Sequence, residues 1–222
     1  MVKIPVVKDI LEVNERIALE NKELFDKHKV LVINLMGSPG SGKTSLLELT
    51  ISVLKEKLSI GVIEGDIQSM LDAERINKYG IQIVQINTYG ACHLDGNMIR
   101  DALPSLNLEK LDLLMVENVG NLVCPAEFKI GEDYKVMILS MPEGDDKPIK
   151  YPLMFQESSV LLINKIDLAP YLGVSIERIK NESFKVNPRL AIFPISCRTK
   201  QGLKPWFDWI LRRYKEKMNA QS

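Results

Sequence analysis

Gly37-Ser38-Pro39-Gly40-Ser41-Gly42-Lys43-Thr44 fits the pattern G-x-x-x-x-G-K-[ST] at every position. Glycines at this spacing let the backbone curl so that several N–H groups converge on a phosphate. Lys43 can reach the β- and γ-phosphates, and the Thr44 hydroxyl is placed to ligate Mg²⁺. Gly37, Ser38, Gly40, Ser41, Gly42 and Ser45 complete the expected cradle. The chemistry implied is the binding of a nucleoside triphosphate and the release of its terminal phosphate. The flanks agree, with an apolar run of strand length, Val30 to Met36, before the loop and the opening of an amphipathic helix, Ser45 to Leu49, after it. That helix adds the partial positive charge of its N-terminus.

A second motif names the base. Asn164-Lys165-Ile166-Asp167 follows the apolar run Val160 to Ile163 and fits N-K-x-D. The Asp167 carboxylate can accept two hydrogen bonds, from guanine N1–H and from its exocyclic amine. Adenine would set a ring lone pair against that carboxylate, so GTP is expected rather than ATP. Asn164 can tie this loop to the phosphate loop, and the Lys165 stem can lie over the base. Ser196-Cys197 stands where a backbone N–H meets the guanine oxygen.

Glu117-Asn118-Val119-Gly120 occupies the place of a D-x-x-G. Glu117 is expected to hold Mg²⁺ through water, and Gly120 to bring a backbone N–H to the γ-phosphate. Asp66 and Asp72 are further acids for the metal or the attacking water, unless they are ordinary exposed carboxylates. Lys43, Asp66 and Glu117 are therefore the candidate catalytic residues. No Gln or Arg is evident as a stimulating group, so slow intrinsic hydrolysis is expected.

Cys92, His93 and Cys124 form a third constellation. Thiolate and imidazole suit zinc and nickel, whereas Mg²⁺ prefers oxygen. Neighbouring residues in one chain rarely complete a four-coordinate site, but a second copy across a two-fold axis would. On spacing alone, two buried thiols beside a helix-capping imidazole is the stronger reading.

The elements that must position these groups alternate. Strands are expected at Val30–Met36, Ile60–Glu64, Ile81–Ile86, Leu111–Glu117, Tyr134–Ser140, Val160–Asn164 and 190–195. Helices are expected at about 5–28, after the phosphate loop, at Leu71–Ile76, up to Leu103 before Pro104, near 151–158, at 175–186 and at the C-terminus. Residues Asn118 to Pro125 and Pro142 to Pro148 read as loops. The first helix carries Val6, Val7, Ile10, Leu11, Val13, Ile17, Leu24 and Phe25 and should pack from outside the sheet. Trp206 and Trp209 read as packing residues of the last. The alternation predicts an α/β fold of the phosphate-loop NTPase type in one domain spanning 1–222, its mostly parallel sheet covered on both faces. Ligands then gather at the carboxyl ends of the strands.

In the 222 residues, Lys plus Arg equals Asp plus Glu at 29 each, so nothing in the net charge favours nucleic acid. No apolar stretch approaches a membrane span and no signal-peptide core is evident, so the cytoplasm is expected. The three cysteines are too few and too scattered for a disulfide framework.

Taken in order, Gly37–Thr44, Glu64-Gly65-Asp66, Ala91-Cys92-His93-Leu94, Glu117-Asn118-Val119-Gly120-Asn121-Leu122-Val123-Cys124-Pro125, Glu143-Gly144-Asp145-Asp146-Lys147-Pro148 and Asn164–Asp167 resemble the HypB GTPases. That family assists nickel insertion into [NiFe]-hydrogenase. The resemblance covers essentially residues 5–215, and the run E-N-V-G-N-L-V-C-P separates it from the related urease accessory GTPases. It implies a GTP-dependent homodimer with Ni²⁺ or Zn²⁺ held at its interface by Cys92, His93 and Cys124. It also implies a HypA-type nickel chaperone and the [NiFe]-hydrogenase large subunit as partners. Many bacterial relatives carry an N-terminal cysteine motif or a His-rich tract. This chain begins Met-Val-Lys-Ile-Pro with neither, so the interface site is expected from the resemblance but high-affinity nickel storage is not. Two alternatives stay open: a GTP-gated, partner-recruiting dimer whose zinc is purely structural, and a urease-type nickel accessory GTPase.

Overall fold

Continuous apolar runs such as Leu31-Val32-Ile33 and Val160-Leu161-Leu162-Ile163 are what strands buried on both faces require. The computed structural model of the chain describes residues 10–66 and 75–220. Asp72, most of the helix expected at Leu71–Ile76, Val6, Val7 and the side chain of Asp66 lie outside the described residues. Strands form at Leu31–Gly37 (β1), Ile60–Asp66 (β2), Gln82–Asn87 (β3), Leu113–Glu117 (β4), Tyr134–Ser140 (β5), Val160–Asn164 (β6) and Ala191–Pro194 (β7). They make one sheet in the order β3-β2-β4-β1-β5-β6-β7, with every neighbouring pair parallel.

Alternation along β1 sends Leu31, Ile33 and Leu35 to one face, where they pack against the helices Lys43–Leu54 and Leu203–Ala220. Trp206 is wholly buried there, and its indole N–H donates to Thr50 Oγ1 at 3.0 Å. Both tryptophans are packing residues, as expected. On the other face Val30 and Val32 meet Phe25 of the helix Ile10–Lys27 and Ile99 of the helix Gly96–Ala102. Farther along, Met36 and Met137 meet Phe155 of Pro152–Glu157 and Ile179 of Ile176–Val186.

Three local expectations are corrected. The first helix buries Asn14, Ile17, Ala18, Asn21 and Phe25, while Ile10, Leu11 and Val13 are exposed. Two asparagines thus take positions that the apolar pattern assigned to hydrophobic side chains. Short helical turns also form at Cys124–Glu127 and Lys147–Lys150, inside segments expected as loops. Pro125 and Pro148 open them, at positions where a missing N–H costs nothing.

The sheet order places three loop sets along one edge. The phosphate loop leaves β1 at the centre, the N-K-x-D loop leaves β6 on one side, and the Cys92-His93 loop leaves β3 on the other. The crevice beyond the carboxyl ends of such a sheet is where ligands bind.

Candidate functional site

The phosphate loop closes on a left-handed Gly42, at φ 103°, ψ 25°. A Cβ on this residue would fall 2.3 Å from Nδ2 of Asn164. That amide donates to the Ser41 carbonyl at 2.8 Å, so Asn164 does tie the two motifs together. Gly42→Ala should therefore cost more than the ~1–2 kcal/mol of left-handed backbone, since the strut from Asn164 must also give way. The expected result is a folded protein whose GTP affinity falls at least tenfold, read by titration calorimetry.

Lys43 is nearly buried, and its ammonium donates to the carbonyls of Gly37 at 3.3 Å and Ser38 at 3.2 Å. Thr44 Oγ1 donates to Glu117 Oε1 at 2.9 Å, which brings two of the expected Mg²⁺ ligands together. Among the described residues, the buried Ser41 Oγ has no hydrogen-bond partner. Lys43, Thr44, Glu117, Gly120 and Lys165 line a cavity of about 530 Å³. Paired oxygen ligands, a cation and an unspent donor fit a Mg²⁺–nucleotide.

Sequence reasoning missed Glu64 and Arg75, which line the same cavity. Glu64 is buried and stands in register with Glu117 across the β2–β4 pair. An acid within an apolar strand was the available signal. Arg75 is ion-paired with Glu48. The sequence also gave no sign that Glu143 accepts hydrogen bonds from Ser140 and from Ser38 of the phosphate loop.

At the base end, Asp167 Oδ1 accepts from Ser196 Oγ at 2.6 Å. The N–H groups of Ser196 and Cys197, expected to face the guanine oxygen, donate to Gln201 O at 3.0 Å and Asn164 Oδ1 at 3.1 Å. A guanine oxygen would thus share the Cys197 N–H with Asn164. Burial pushes the Cys197 thiol up to about 11, which keeps it neutral at physiological pH. Lys165 sits at φ 62° and its ammonium donates to Gly40 O at 2.7 Å, a second strut between the motifs.

Cys92, His93 and Cys124 come together across the loops after β3 and β4, with their ligand atoms within 4.8 Å of one another. The two sulfurs are 2.9 Å apart, and Cys92 Sγ lies 3.6 Å from His93 Nδ1. Sulfurs around a tetrahedral zinc stand ~3.8 Å apart, from Zn–S bonds of about 2.3 Å. A small spread of the set would admit the ion, and a fourth ligand must come from elsewhere. The neighbouring Cys92 sulfur and burial raise the Cys124 thiol above its ordinary value. Burial lowers His93, leaving its imidazole neutral and able to donate a lone pair. The His93 ring packs on Phe128, centroids 3.8 Å apart.

One segment touches both centres. Gly120 passes so close to the phosphate loop that a Cβ would lie 2.9 Å from Pro39 N. The Asn121 N–H donates to Gly37 O at 3.1 Å, its side-chain amide to Cys92 O at 3.4 Å, and its Oδ1 accepts from Val123 N at 2.8 Å. Asn118 Oδ1 accepts from both Leu94 N and Val119 N at 2.9 Å. Two asparagines around Gly120 thereby join the phosphate loop and the end of β4 to the Cys92-His93 loop.

Residues 31–194 match the family described as CobW/HypB/UreG, nucleotide-binding domain. The chain is 48% identical over 202 residues to hydrogenase maturation factor HypB of Escherichia coli K12, covering 91% of this chain and 70% of that protein. It is 41% identical over 211 residues to the probable HypB of Methanocaldococcus jannaschii, covering 95% and 96%. The crystal structure of HypB from Helicobacter pylori in complex with nickel superposes with a TM-score of 0.88 at 38% identity, covering 95% and 98%. The match extends over nearly the whole chain, and the protein belongs to the CobW/HypB/UreG family of nucleotide-binding proteins, among the HypB hydrogenase maturation factors.

Proposed function

We propose that this protein hydrolyses GTP with Mg²⁺ and uses the cycle to hold and release nickel during [NiFe]-hydrogenase maturation in the cytoplasm. Lys43 and the loop N–H groups bind the phosphates, Thr44 and Glu117 hold Mg²⁺, and Asp66 supports it. Asp167 reads guanine, while Cys92, His93 and Cys124 take Ni²⁺ or Zn²⁺. The ion is cargo, and a second copy of the chain completes its ligand set. A HypA-type chaperone and the hydrogenase large subunit would stand on either side of the transfer. Among the described residues no helix is long and apolar enough to cross a membrane.

The observation that carries this reading is the shared Gly37 carbonyl. It accepts from Lys43 Nζ and from the Asn121 N–H, and Asn121 in turn holds the Cys92 carbonyl. When Lys43 turns toward a γ-phosphate, that carbonyl is left to Asn121, and the metal loops feel the change. The exposure of Cys92 favours an exchangeable ion over a closed structural zinc.

Base selection tests the GTP half. In Asp167→Asn the anion that accepts two guanine N–H bonds is gone, at about 1.5–3 kcal/mol for each charge-assisted bond. Competition among GTP, ATP and xanthosine triphosphate should show guanine preference relaxed at least tenfold. Unchanged selectivity would remove Asp167 from the base site. Nickel titration of the same protein with GDP and with a non-hydrolysable GTP analogue tests the coupling, and equal affinities would refute it.

A further inference from the structure

The helix Ile10–Lys27 buries two asparagines, Asn14 and Asn21, 7% and 2% exposed, where a helix packed on a sheet ordinarily places apolar side chains. Neither is satisfied within its own helix. Asn14 Oδ1 accepts from Gly96 N at 2.7 Å, and its Nδ2 donates to Lys129 O at 2.8 Å. Asn21 Nδ2 donates to Gly96 O at 2.8 Å and to Ile130 O at 3.2 Å. Both polar groups of Gly96, and two consecutive carbonyls beyond the Cys124 turn, are therefore held by one helix.

These anchor points flank the metal-binding candidates. Gly96 follows Cys92-His93 within a few residues, and Lys129-Ile130 follow Cys124 just beyond Phe128, whose ring lies on His93. The approach is close enough to exclude side chains. A Cβ on Gly131, at φ 99°, would fall 2.8 Å from Asn21 Cβ and 2.9 Å from Ala18 O, and one on Gly96 would fall 3.1 Å from Ala18 N. No residue of this helix lines the cavity at the phosphate loop, so the contact reaches the metal loops from outside that cavity.

We propose that Asn14 and Asn21 are positioning residues of the Cys92–His93–Cys124 site, and that the N-terminal helix sets the separation of its two loops by clamping Gly96 to Lys129 and Ile130. The inference rests on the metal-site reading above. Buried amides bonded to the backbone of other segments fix its position more sharply than apolar packing, because sliding the helix would leave several polar groups unsatisfied. The helix then acts on the ions much as the outer partners of metal ligands do, whose loss weakens binding roughly 10–100-fold.

Co²⁺ titration of the full chain tests this, read by the sulfur-to-cobalt charge-transfer absorption, with GTP affinity and melting temperature measured on the same samples. Asn14→Ala and Asn21→Ala should each weaken Co²⁺ binding about tenfold and alter the absorption envelope, while GTP affinity stays near wild type. Phe25→Leu, in the same helix and packed in the core with no side-chain hydrogen bond to either loop, controls for stability. It should lower the melting temperature and leave the cobalt spectrum unchanged. Should the alanine variants fail to fold, Asn14→Asp keeps the acceptor for Gly96 and loses the donor to Lys129, and it too should weaken Co²⁺ binding. Wild-type affinity and spectrum in the folded asparagine variants, or equal weakening in Phe25→Leu, would overturn the clamp. Undiminished binding in Cys124→Ala would overturn the site itself. Binding lost in Cys124→Ala but kept in the asparagine variants would overturn the clamp alone.

Discussion

Lys43→Ala is expected to abolish measurable GTP turnover while the protein stays folded. The ammonium sits almost out of solvent at the base of the loop, held by the Gly37 and Ser38 carbonyls. A bound triphosphate offers it stronger acceptors on the β- and γ-phosphates, and each charge-assisted bond is worth about 1.5–3 kcal/mol. Two such bonds, the γ one strongest as charge shifts during transfer, amount to roughly a 10²–10⁴-fold fall in kcat/KM. Folding should be spared, because Lys43 opens the helix Lys43–Leu54 and alanine is a good helix former there. Circular dichroism together with phosphate-release kinetics checks both halves. A variant that hydrolyses GTP at the wild-type rate would remove Lys43 from the phosphate site.

The sheet was legible because its five central strands are buried on both faces. Tyr134–Ser140 and Val160–Asn164 lie where continuous apolar runs placed them, and the other five strands differ only at their ends. The glycine loop was legible for the same local reason, since a strand, a turn needing positive φ and a helix are all written within a few residues. What periodicity hid were polar groups buried by distant partners. Asn14 and Asn21 look like the solvent face of an amphipathic helix, yet their partners lie in segments much later in the chain. Asn34 interrupts an apolar strand and accepts from Asn118 at 3.1 Å. Lys135, on β5, donates to the Ala126 carbonyl under the Cys124 turn. The spacing of such residues says nothing until the chain is folded. The expected N–H donors of Ser196 and Cys197 illustrate a different limit. Their place after β7 was readable, but the competing acceptors Gln201 and Asn164 were not.

Cys124→Ala carries the largest expected effect at the sulfur centre. Removing one thiolate from a four-ligand site worth ~10–16 kcal/mol takes away about a quarter of it, ~3 kcal/mol or a hundredfold in affinity. The remaining Cys92 and His93 are adjacent in sequence and cannot by themselves surround an ion. If the missing ligands come from a second copy, loss of Cys124 removes two sulfurs from the paired site at once, and the metal-dependent dimer should go with it. The same site should weaken in acid. The Cys124 thiol titrates above its ordinary value, so at neutral pH the ion must displace its proton, and each step down in pH raises that cost. His93 titrates below its ordinary value and adds competition only at lower pH. Light scattering and metal stoichiometry, with GDP and with a non-hydrolysable GTP analogue, measure all of this in wild type and variant. Wild type should load metal and gain mass with the analogue, and Cys124→Ala should do neither. Full loading of a strictly monomeric Cys124→Ala protein would rule out a site shared between copies.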